Sequence, residues 1–201
     1  MILENKLNIT DPAELAREEE RISKKKAKEM FETGFLYKLE AGTFESLKQI
    51  HYYLFCDIYE FAGKLRKVNI AKGNFRFTPL TYLEEAIKNI EKMPQTTYEE
   101  IIEKYVEMNI AHPFREGNGR STRIWLDLIL KKKLNSVIDW SKVDKNDYLL
   151  AMERSPIKDV EIKELLKIAL TDEIDNREIY MKGIDNSYSY EGYTSFKIDE
   201  L

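Results

Sequence analysis

The chain has 201 residues, 43% of them hydrophobic and 34% charged, which suits one domain with a sizeable core and a well-solvated surface. Its 32 basic and 36 acidic side chains give a net charge of −4, so no broad electrostatic footprint for direct nucleic-acid binding is expected. No run of about 18 apolar residues is present, and the N-terminus lacks the order of a secretory signal, which argues against a membrane span and against export. The single cysteine, Cys56, excludes an intramolecular disulfide. We expect Cys56 to be a core residue and the protein to be cytoplasmic.

The first helix is predicted from its capping pattern. Asp11, Pro12 and Glu14 suit an N-cap, the first helical position and a capping-box acid. The helix should run to about Thr33, with Gly34 just past its end. The basic run at 24–26 is interpreted as a solvated face.

Three more helices follow from apolar spacing. One starts after Thr43 and continues to Phe61, where Gly63 closes the pattern; the others cover 80–93 and 97–111. Residues 124–130 are almost entirely apolar, which indicates a helix buried on most of its surface.

The remaining elements complete an all-α helical bundle with one small β-hairpin flap. Helices are predicted near 144–153 and 157–170, the second with Pro156 at its start. Between 66 and 77 a short alternation surrounds Lys72, Gly73 and Asn74, which predicts a hairpin.

The segment 112–123, HPFREGNGRSTR, brings together groups suited to phosphate chemistry. Gly117 and Gly119 allow a tight turn and a close approach to a ligand, and the free N–H groups of the following helix can bind an anion. Arg120 and Arg123 lie three residues apart on one helix face, so both can reach one oligophosphate.

Two further groups in this segment point to catalysis. Glu116 offers an oxygen ligand for Mg²⁺, and His112 can accept a proton from an attacking hydroxyl. Each residue alone is more often structural than catalytic. Their joint order carries the prediction.

This segment matches the signature of the Fic family, His-x-Phe-x-Asp/Glu-Gly-Asn-Gly-Arg-x-x-Arg, at every specified position. The resemblance to short bacterial Fic proteins includes KGNFRF at 72–77, MERSP at 152–156 and the tail, but not the first thirty or so residues. It implies an N-terminal helical extension at 1–35, a Fic core at 36–172 with a flap at 66–78, and a C-terminal inhibitory helix and tail at 173–201.

The resemblance implies transfer of AMP from ATP to a Tyr, Thr or Ser hydroxyl of a target protein, with release of pyrophosphate. His112 is then the general base, and Glu116 helps to hold Mg²⁺ on the α- and β-phosphates. The other implied ATP- and phosphate-binding residues are Gly117, Asn118, Gly119, Arg120, Ser121 and Arg123, with the Asn118 amide reaching the α-phosphate.

The flap of the family docks the target by main-chain pairing, here through Lys72, Gly73, Asn74, Phe75, Arg76 and Phe77. Lys72 is also expected to touch nucleotide. We expect the adenine pocket to have apolar walls at 148–152, including Leu149, with Asn109 near the ribose or base.

The tail matches the inhibitory pattern of the family, Ser/Thr-x-x-x-Glu-Gly/Asn, at Ser187, Glu191 and Gly192. On a helix, the serine and the glutamate would share one face. The implied inhibition is that Glu191 pairs with Arg123 and removes it from the γ-phosphate. Tyr188 and Tyr190 are expected sites of self-modification once the helix loosens.

Several alternatives remain open. Kinase-type phosphotransfer occurs on the same fold in Doc-type relatives, which carry Lys where this chain has Gly119. Removal of AMP and a non-catalytic nucleotide-binding interaction module are the others. A type II topoisomerase subunit such as gyrase is the first candidate target, and a homo-oligomer would bury the tail.

Overall fold

A computed structural model describes residues 2–73 and 75–201. Within them the chain forms eight α-helices and two short antiparallel ladders. The helices are α1 (Pro12–Glu32), α2 (Phe44–Phe55), α3 (Leu80–Lys92), α4 (Tyr98–Ala111), α5 (Asn118–Leu134), α6 (Lys145–Arg154), α7 (Val160–Ile168) and α8 (Arg177–Ser189). The strands are β1 (Ala71–Lys72), β2 (Phe75–Arg76), β3 (Val137–Ile138) and β4 (Leu170–Thr171). The predicted all-α class is confirmed.

Side chains cap the first helices as the sequence indicates. The Asp11 carboxylate accepts from the backbone N–H of Glu14 at 2.7 Å, and Thr43 caps α2 in the same way. A reciprocal capping box between Thr97 and Glu100 opens α4. These bonds satisfy N–H groups that have no partner inside the helix.

Helix α5 is the centre of the fold and packs against α2, α4 and α8. Trp125, Leu126 and Leu130 on it are fully buried, which confirms the predicted burial. The one acid in this stretch, Asp127, accepts from the backbone N–H of Ile138 at 2.8 Å and from Nε1 of Trp140 at 2.7 Å. The carboxylate therefore ties the segment after α5 back onto the helix.

The predicted hairpin is present. Strands β1 and β2 pair with Ala71 opposite Arg76 and Lys72 opposite Phe75. Gly73 begins the turn with φ +58°, a conformation that suits glycine, and Asn74 lies outside the described residues.

Two element boundaries differ from the prediction, and one strand pair was not predicted. Helix α2 ends at Phe55 and not at Phe61, because the next residues turn back so that the Gly63 N–H reaches His51 on α2. Helix α7 begins at Val160, three residues later than predicted. A second ladder, β3 with β4, was not predicted, since two-residue strands carry no visible alternation.

Two side chains lie elsewhere than predicted. The interpretation of 24–26 as a solvated face is wrong for Lys24, which is buried between Glu20 and Asp185 at 2.9 and 3.0 Å. Cys56 is only partly buried, at the edge of the core.

Among the described helices, none has the length and apolar character to cross a membrane.

Candidate active site

The loop between α4 and α5 places the predicted catalytic segment at the N-terminus of the buried helix. His112 ends α4 in a left-handed conformation, with φ 50° and ψ 61°, and Gly117 begins α5 with φ +75°. A Cβ on Gly117 would lie 2.4 Å from Cε2 of Phe55, so only glycine fits there. The sharp turn directs the free N–H groups of α5 into the loop.

His51 on α2 supports the loop through hydrogen bonds of both ring nitrogens. Its Nδ1 accepts from the Gly63 N–H at 2.9 Å, so Nε2 carries the hydrogen and donates to the Glu116 carbonyl at 2.8 Å. Its ring stacks on Phe114 with centroids 3.8 Å apart. Burial lowers the pKa of His51 to about 3, which keeps the ring neutral.

Asn118 and Ser121 stabilise the loop by hydrogen bonds to its backbone. The buried Asn118 amide accepts from the Phe114 N–H and donates to the Phe114 carbonyl, both at 2.8 Å. The buried Ser121 hydroxyl donates to the Gly117 carbonyl at 2.9 Å. In this structure both side chains hold the loop, and the phosphate contacts predicted for them stay predictions.

Arg66 ties His112 to the flap. Its Nε donates to the His112 carbonyl at 2.7 Å, and its Nη1 donates to the Val68 carbonyl at 2.8 Å. Nη2 donates to the carbonyls of Thr78 and Ala111. Sequence reasoning missed this residue, and a single arginine at the start of the hairpin was the only signal for it.

The environment of His112 suits a proton acceptor. The ring of Phe77 stacks on the imidazole with centroids 3.7 Å apart. Burial lowers the pKa of His112 to about 4, and the charges of Arg66 and Lys72 act in the same direction. The imidazole is therefore neutral at pH 7 and can take a proton.

Three carboxylates surround the fully buried guanidinium of Arg120. Nη1 donates to Oε1 of Glu19 at 2.6 Å, and Nη2 donates to Oε1 of Glu116 at 3.1 Å. Nε lies 2.8 Å from Oε2 of Glu191. The ring of Tyr193 covers the guanidinium, with its centroid 4.5 Å from Cζ.

Arg123 is held by the tail. Its Nε donates to the Ser187 hydroxyl at 2.6 Å, and its Nη2 donates to Oε1 of Glu191 at 2.8 Å. Nη1 donates to the hydroxyl of Tyr148 at 3.4 Å. Burial raises the pKa of Glu191, but Arg120 and Arg123 outweigh it and hold that pKa below its usual value.

The tail differs from the predicted geometry in one respect. Helix α8 ends at Ser189, so Glu191 lies in the turn beyond it and not on the same helical face as Ser187. Gly192 follows with φ +93°, and a Cβ there would meet no atom within 4 Å. The turn still directs both predicted side chains onto Arg123.

The two tyrosines predicted as self-modification sites are buried in this conformation. Cζ of Arg120 lies 5.3 Å from the Tyr188 ring centroid, and Cζ of Arg123 lies 5.2 Å from that of Tyr190. The Tyr190 hydroxyl donates to the Val143 carbonyl at 2.8 Å. Both rings pack on the arginines here, so neither hydroxyl is available for transfer while the tail stays in place.

The remaining predicted residues lie around this centre. Lys72 is exposed on β1, and its charge influences both His112 and Glu191. Asn109 donates to the Tyr105 carbonyl at 2.8 Å. Leu149 is half-buried on α6, beside Tyr148.

The donor set suits a metal carried by its substrate. No group of three or more His, Cys, Asp or Glu side chains with metal-binding geometry occurs among the described residues. Glu116 offers a carboxylate from within the loop, and its side chain is 41% exposed. One carboxylate together with phosphate oxygens and water is a usual environment for Mg²⁺.

Comparisons with known proteins agree with the fold and the loop. The model of the Fic/DOC family matches residues 42–130. Protein adenylyltransferase VbhT of Bartonella schoenbuchensis is 32% identical over 159 residues, which are 73% of this chain and 32% of that protein. The probable protein adenylyltransferase y4lH of Sinorhizobium fredii is 30% identical over 166 residues, which are 77% of this chain and 83% of that protein. The chain belongs to the Fic/DOC family, and it spans about a third of the length of VbhT.

Solved structures show the same fold. BepC from Bartonella tribocorum with bound AMPPNP has a TM-score of 0.69 at 20% identity and covers 85% of this chain and 93% of its own. The N-terminal Fic domain of a Bartonella quintana effector with bound ADP has a TM-score of 0.68 at 20% identity and covers 88% of this chain and 92% of its own. These identities support the shared fold.

Proposed function

We propose that the chain is a nucleotidyltransferase, a protein adenylyltransferase that moves AMP from ATP to a Tyr, Thr or Ser hydroxyl of a protein. Its family and the names of its curated relatives support this class. The observation that carries the proposal is the neutral His112 in the loop that leads into α5, with Arg120 and Arg123 in the first two turns of that helix. Nucleotides bound in solved Fic structures support ATP as the donor.

The reaction follows from these positions. The target hydroxyl gives its proton to His112 and its oxygen attacks the α-phosphorus, while the bond to the bridging oxygen of the β-phosphate breaks and pyrophosphate leaves. The N–H groups at the start of α5 stabilise the charge that develops on the phosphoryl oxygens. Mg²⁺, held in part by Glu116, would neutralise charge on the α- and β-phosphates.

The flap supports docking of the target. Among the described residues β1 and β2 form a sheet of two strands, so the outer edge of each is open, and Ala71, Lys72 and Arg76 are exposed there. Pairing along such an edge uses the main chain, so different target sequences are accepted.

We propose that the tail inhibits this activity. Glu191 engages both Arg120 and Arg123, more than the single pairing predicted with Arg123. A triphosphate that enters while both arginines are occupied lacks their contacts, so its α-phosphorus is misplaced. A displacement of about 1 Å can reduce the rate roughly a hundredfold.

The decisive experiment uses the Glu191→Gly chain with ATP labelled at the α-phosphate, Mg²⁺ and a bacterial extract. We expect labelled protein to appear at least about ten times faster than with the unchanged chain, since release of two arginines restores the phosphate contacts. Purified gyrase is the first single target to try. Equal rates for both chains at saturating ATP would refute inhibition, and undiminished labelling by a His112→Ala variant would refute the proposed chemistry.

Mass spectrometry of the modified protein separates the alternatives, because the added mass is AMP, phosphate or nothing. Gly119 favours AMP transfer over kinase activity. A Cβ at this position would lie 2.4 Å from Oε1 of Glu191, so a lysine there would conflict with the inhibitory contact. Removal of AMP requires a pre-modified target and would show as loss of label.

Control by a homo-oligomer that buries the tail stays a proposal. An assembly that holds the tail in place loses its effect on dilution, since association depends on concentration. Self-modification per molecule should therefore rise as the unchanged protein is diluted. A rate independent of concentration would contradict this control.

A further inference from the structure

Glu19 on α1 reaches the active-site arginine from outside the region that matches the family model, which begins at residue 42. Its Oε1 accepts from Nη1 of Arg120 at 2.6 Å. The side chains of Glu19 and Arg120 are 3% and 0% exposed, so water does not screen this pair.

Glu19 is itself held in one orientation. The Tyr59 hydroxyl donates to its Oε2, and the Tyr193 hydroxyl donates to its Oε1 at 2.8 Å. Burial raises the pKa of both tyrosines, so their hydroxyls keep the hydrogens that they donate. A carboxylate with several fixed donors can in turn fix the guanidinium that it contacts.

Of the three carboxylates that contact Arg120, only Glu19 has no other role in the proposed function. In the proposed function Glu191 leaves when inhibition is released, and Glu116 turns to the metal. Glu19 does neither, because it lies buried on α1 and already accepts from Tyr59 and Tyr193. Arg120 would otherwise be a buried charge without a fixed partner, or would move toward Glu116.

We propose that Glu19 is a positioning residue for Arg120. It holds Nη1 from the side of α1, so that Nε and Nη2 face the position of the triphosphate once Glu191 has left. This inference rests on the proposed function, since it needs a nucleotide at the start of α5.

Positioning and simple charge have opposite effects on nucleotide binding. If Glu19 acted only as a negative charge, its neutralisation would tighten the binding of a polyanion. If it holds the guanidinium in place, its neutralisation loosens binding, because Arg120 no longer keeps the orientation that the phosphates need. The sign of the change in nucleotide affinity therefore shows whether Glu19 positions Arg120 or acts only through its charge.

The test measures the affinity of a non-hydrolysable ATP analogue with Mg²⁺ by calorimetry, in chains that all carry Glu191→Gly. We expect Glu19→Gln to weaken binding about tenfold, and to have no further effect when Arg120→Gln is also present, since positioning acts through that residue. Glu18→Gln is the matched control: Glu18 is the neighbouring acid on α1 and pairs with the partly exposed Arg21. The Glu18→Gln chain should bind the analogue as tightly as the parent, which carries Glu191→Gly alone.

Tyr59→Phe extends the test to a milder change. It removes one donor from Glu19 without altering the charge, and it should weaken binding in the same direction by a smaller factor. Melting curves show which chains are folded, and Tyr59→Phe keeps the test decisive if Glu19→Gln does not fold. The positioning role would be overturned if the folded variants bound the analogue as tightly as the parent or more tightly. It would also be overturned if Glu19→Gln weakened binding by the same factor in chains with Arg120 and in chains with Arg120→Gln. Binding that follows the expected pattern without any AMP transfer by the parent would refute the proposed function alone.

Discussion

At the scale of single residues, the pH range predicted for the proposed reaction depends on the protonation of His112. Burial places its pKa near 4 and below the ordinary value of 6.5, so the neutral, proton-accepting form persists on acidification well below pH 6.5. We expect kcat/KM of Glu191→Gly for ATP to stay level from pH 8 to about 5 and to fall below that, because this ratio reports the free enzyme. Rates of AMP transfer across this range provide the measurement. A half-maximum at pH 6.5 or above would show that the imidazole is not desolvated as described.

The residues that the sequence predicts and those that it misses differ in how they act. His112, Glu116 and Arg123 belong to one contiguous segment, and each has a side chain of a type suited to phosphate chemistry, so residue type and spacing are enough to propose them. Arg66 and His51 are distant from that segment in the sequence, and they bond mainly to its backbone and to that of neighbouring residues. Any folded loop can offer a carbonyl, so no spacing rule points to the residue that reaches it.

At the scale of elements, α1 fastens the C-terminal tail that we propose to be inhibitory. Lys24 donates to the Phe196 carbonyl at 2.6 Å and pairs with Asp185 on α8, and Glu20 accepts from the N–H groups of Ser195 and Phe196. Lys24 and Glu20 are buried, so these are interior ion pairs and not surface ones. Loss of one partner from such a network leaves an uncompensated charge.

The Lys24→Met variant should therefore loosen the tail and raise AMP transfer by the otherwise unchanged chain about tenfold. The charge left on Glu20 is relieved most easily when the tail detaches and water enters. Labelling from ATP measures the rate, and Lys25→Met, an exposed neighbour, is the control. The same substitution in a Glu191→Gly chain should have no further effect, because inhibition is already absent. An equal increase in both backgrounds would show that Lys24 acts by another route.

Element prediction succeeds where local rules dominate. The start of α1 at Pro12 and of α4 at Tyr98 follow from caps that involve only neighbours in sequence. The early end of α2 depends on a bond from Gly63 to His51, and the β3–β4 pair joins segments more than thirty residues apart. Such boundaries come from tertiary contacts, which a local pattern does not contain.

At the scale of the whole molecule, helix α1 and the segment after α8 meet at the candidate active site. Glu19 and Glu191 contact the same guanidinium, that of Arg120, and Tyr193 donates to Glu19. The proposed inhibition is therefore coupled to stability: the contact proposed to inhibit the chain also neutralises two arginines whose side chains are at most 4% exposed.

This coupling predicts that Glu191→Gly is less stable than the unchanged chain without nucleotide. Removing one partner of a buried ion pair costs about 3–5 kcal/mol, and at this chain length about 3 kcal/mol lowers Tm by roughly 6–12 °C. We expect the lower part of that range, because Arg120 keeps Glu19 and Glu116. Glu200→Gly, an exposed acid in the same tail, should leave Tm nearly unchanged.

ATP with Mg²⁺ should then restore much of the lost stability in Glu191→Gly and add less to the unchanged chain. The phosphates replace the missing carboxylate on the two arginines, and ligand at a hundred times its Kd contributes about 2.7 kcal/mol. In the unchanged chain the triphosphate lacks those contacts, so its affinity and its effect on Tm are smaller. Thermal unfolding of both chains with and without ATP measures the difference. Identical shifts would mean that the nucleotide does not use the arginines that Glu191 occupies, and the link between inhibition and stability would be lost.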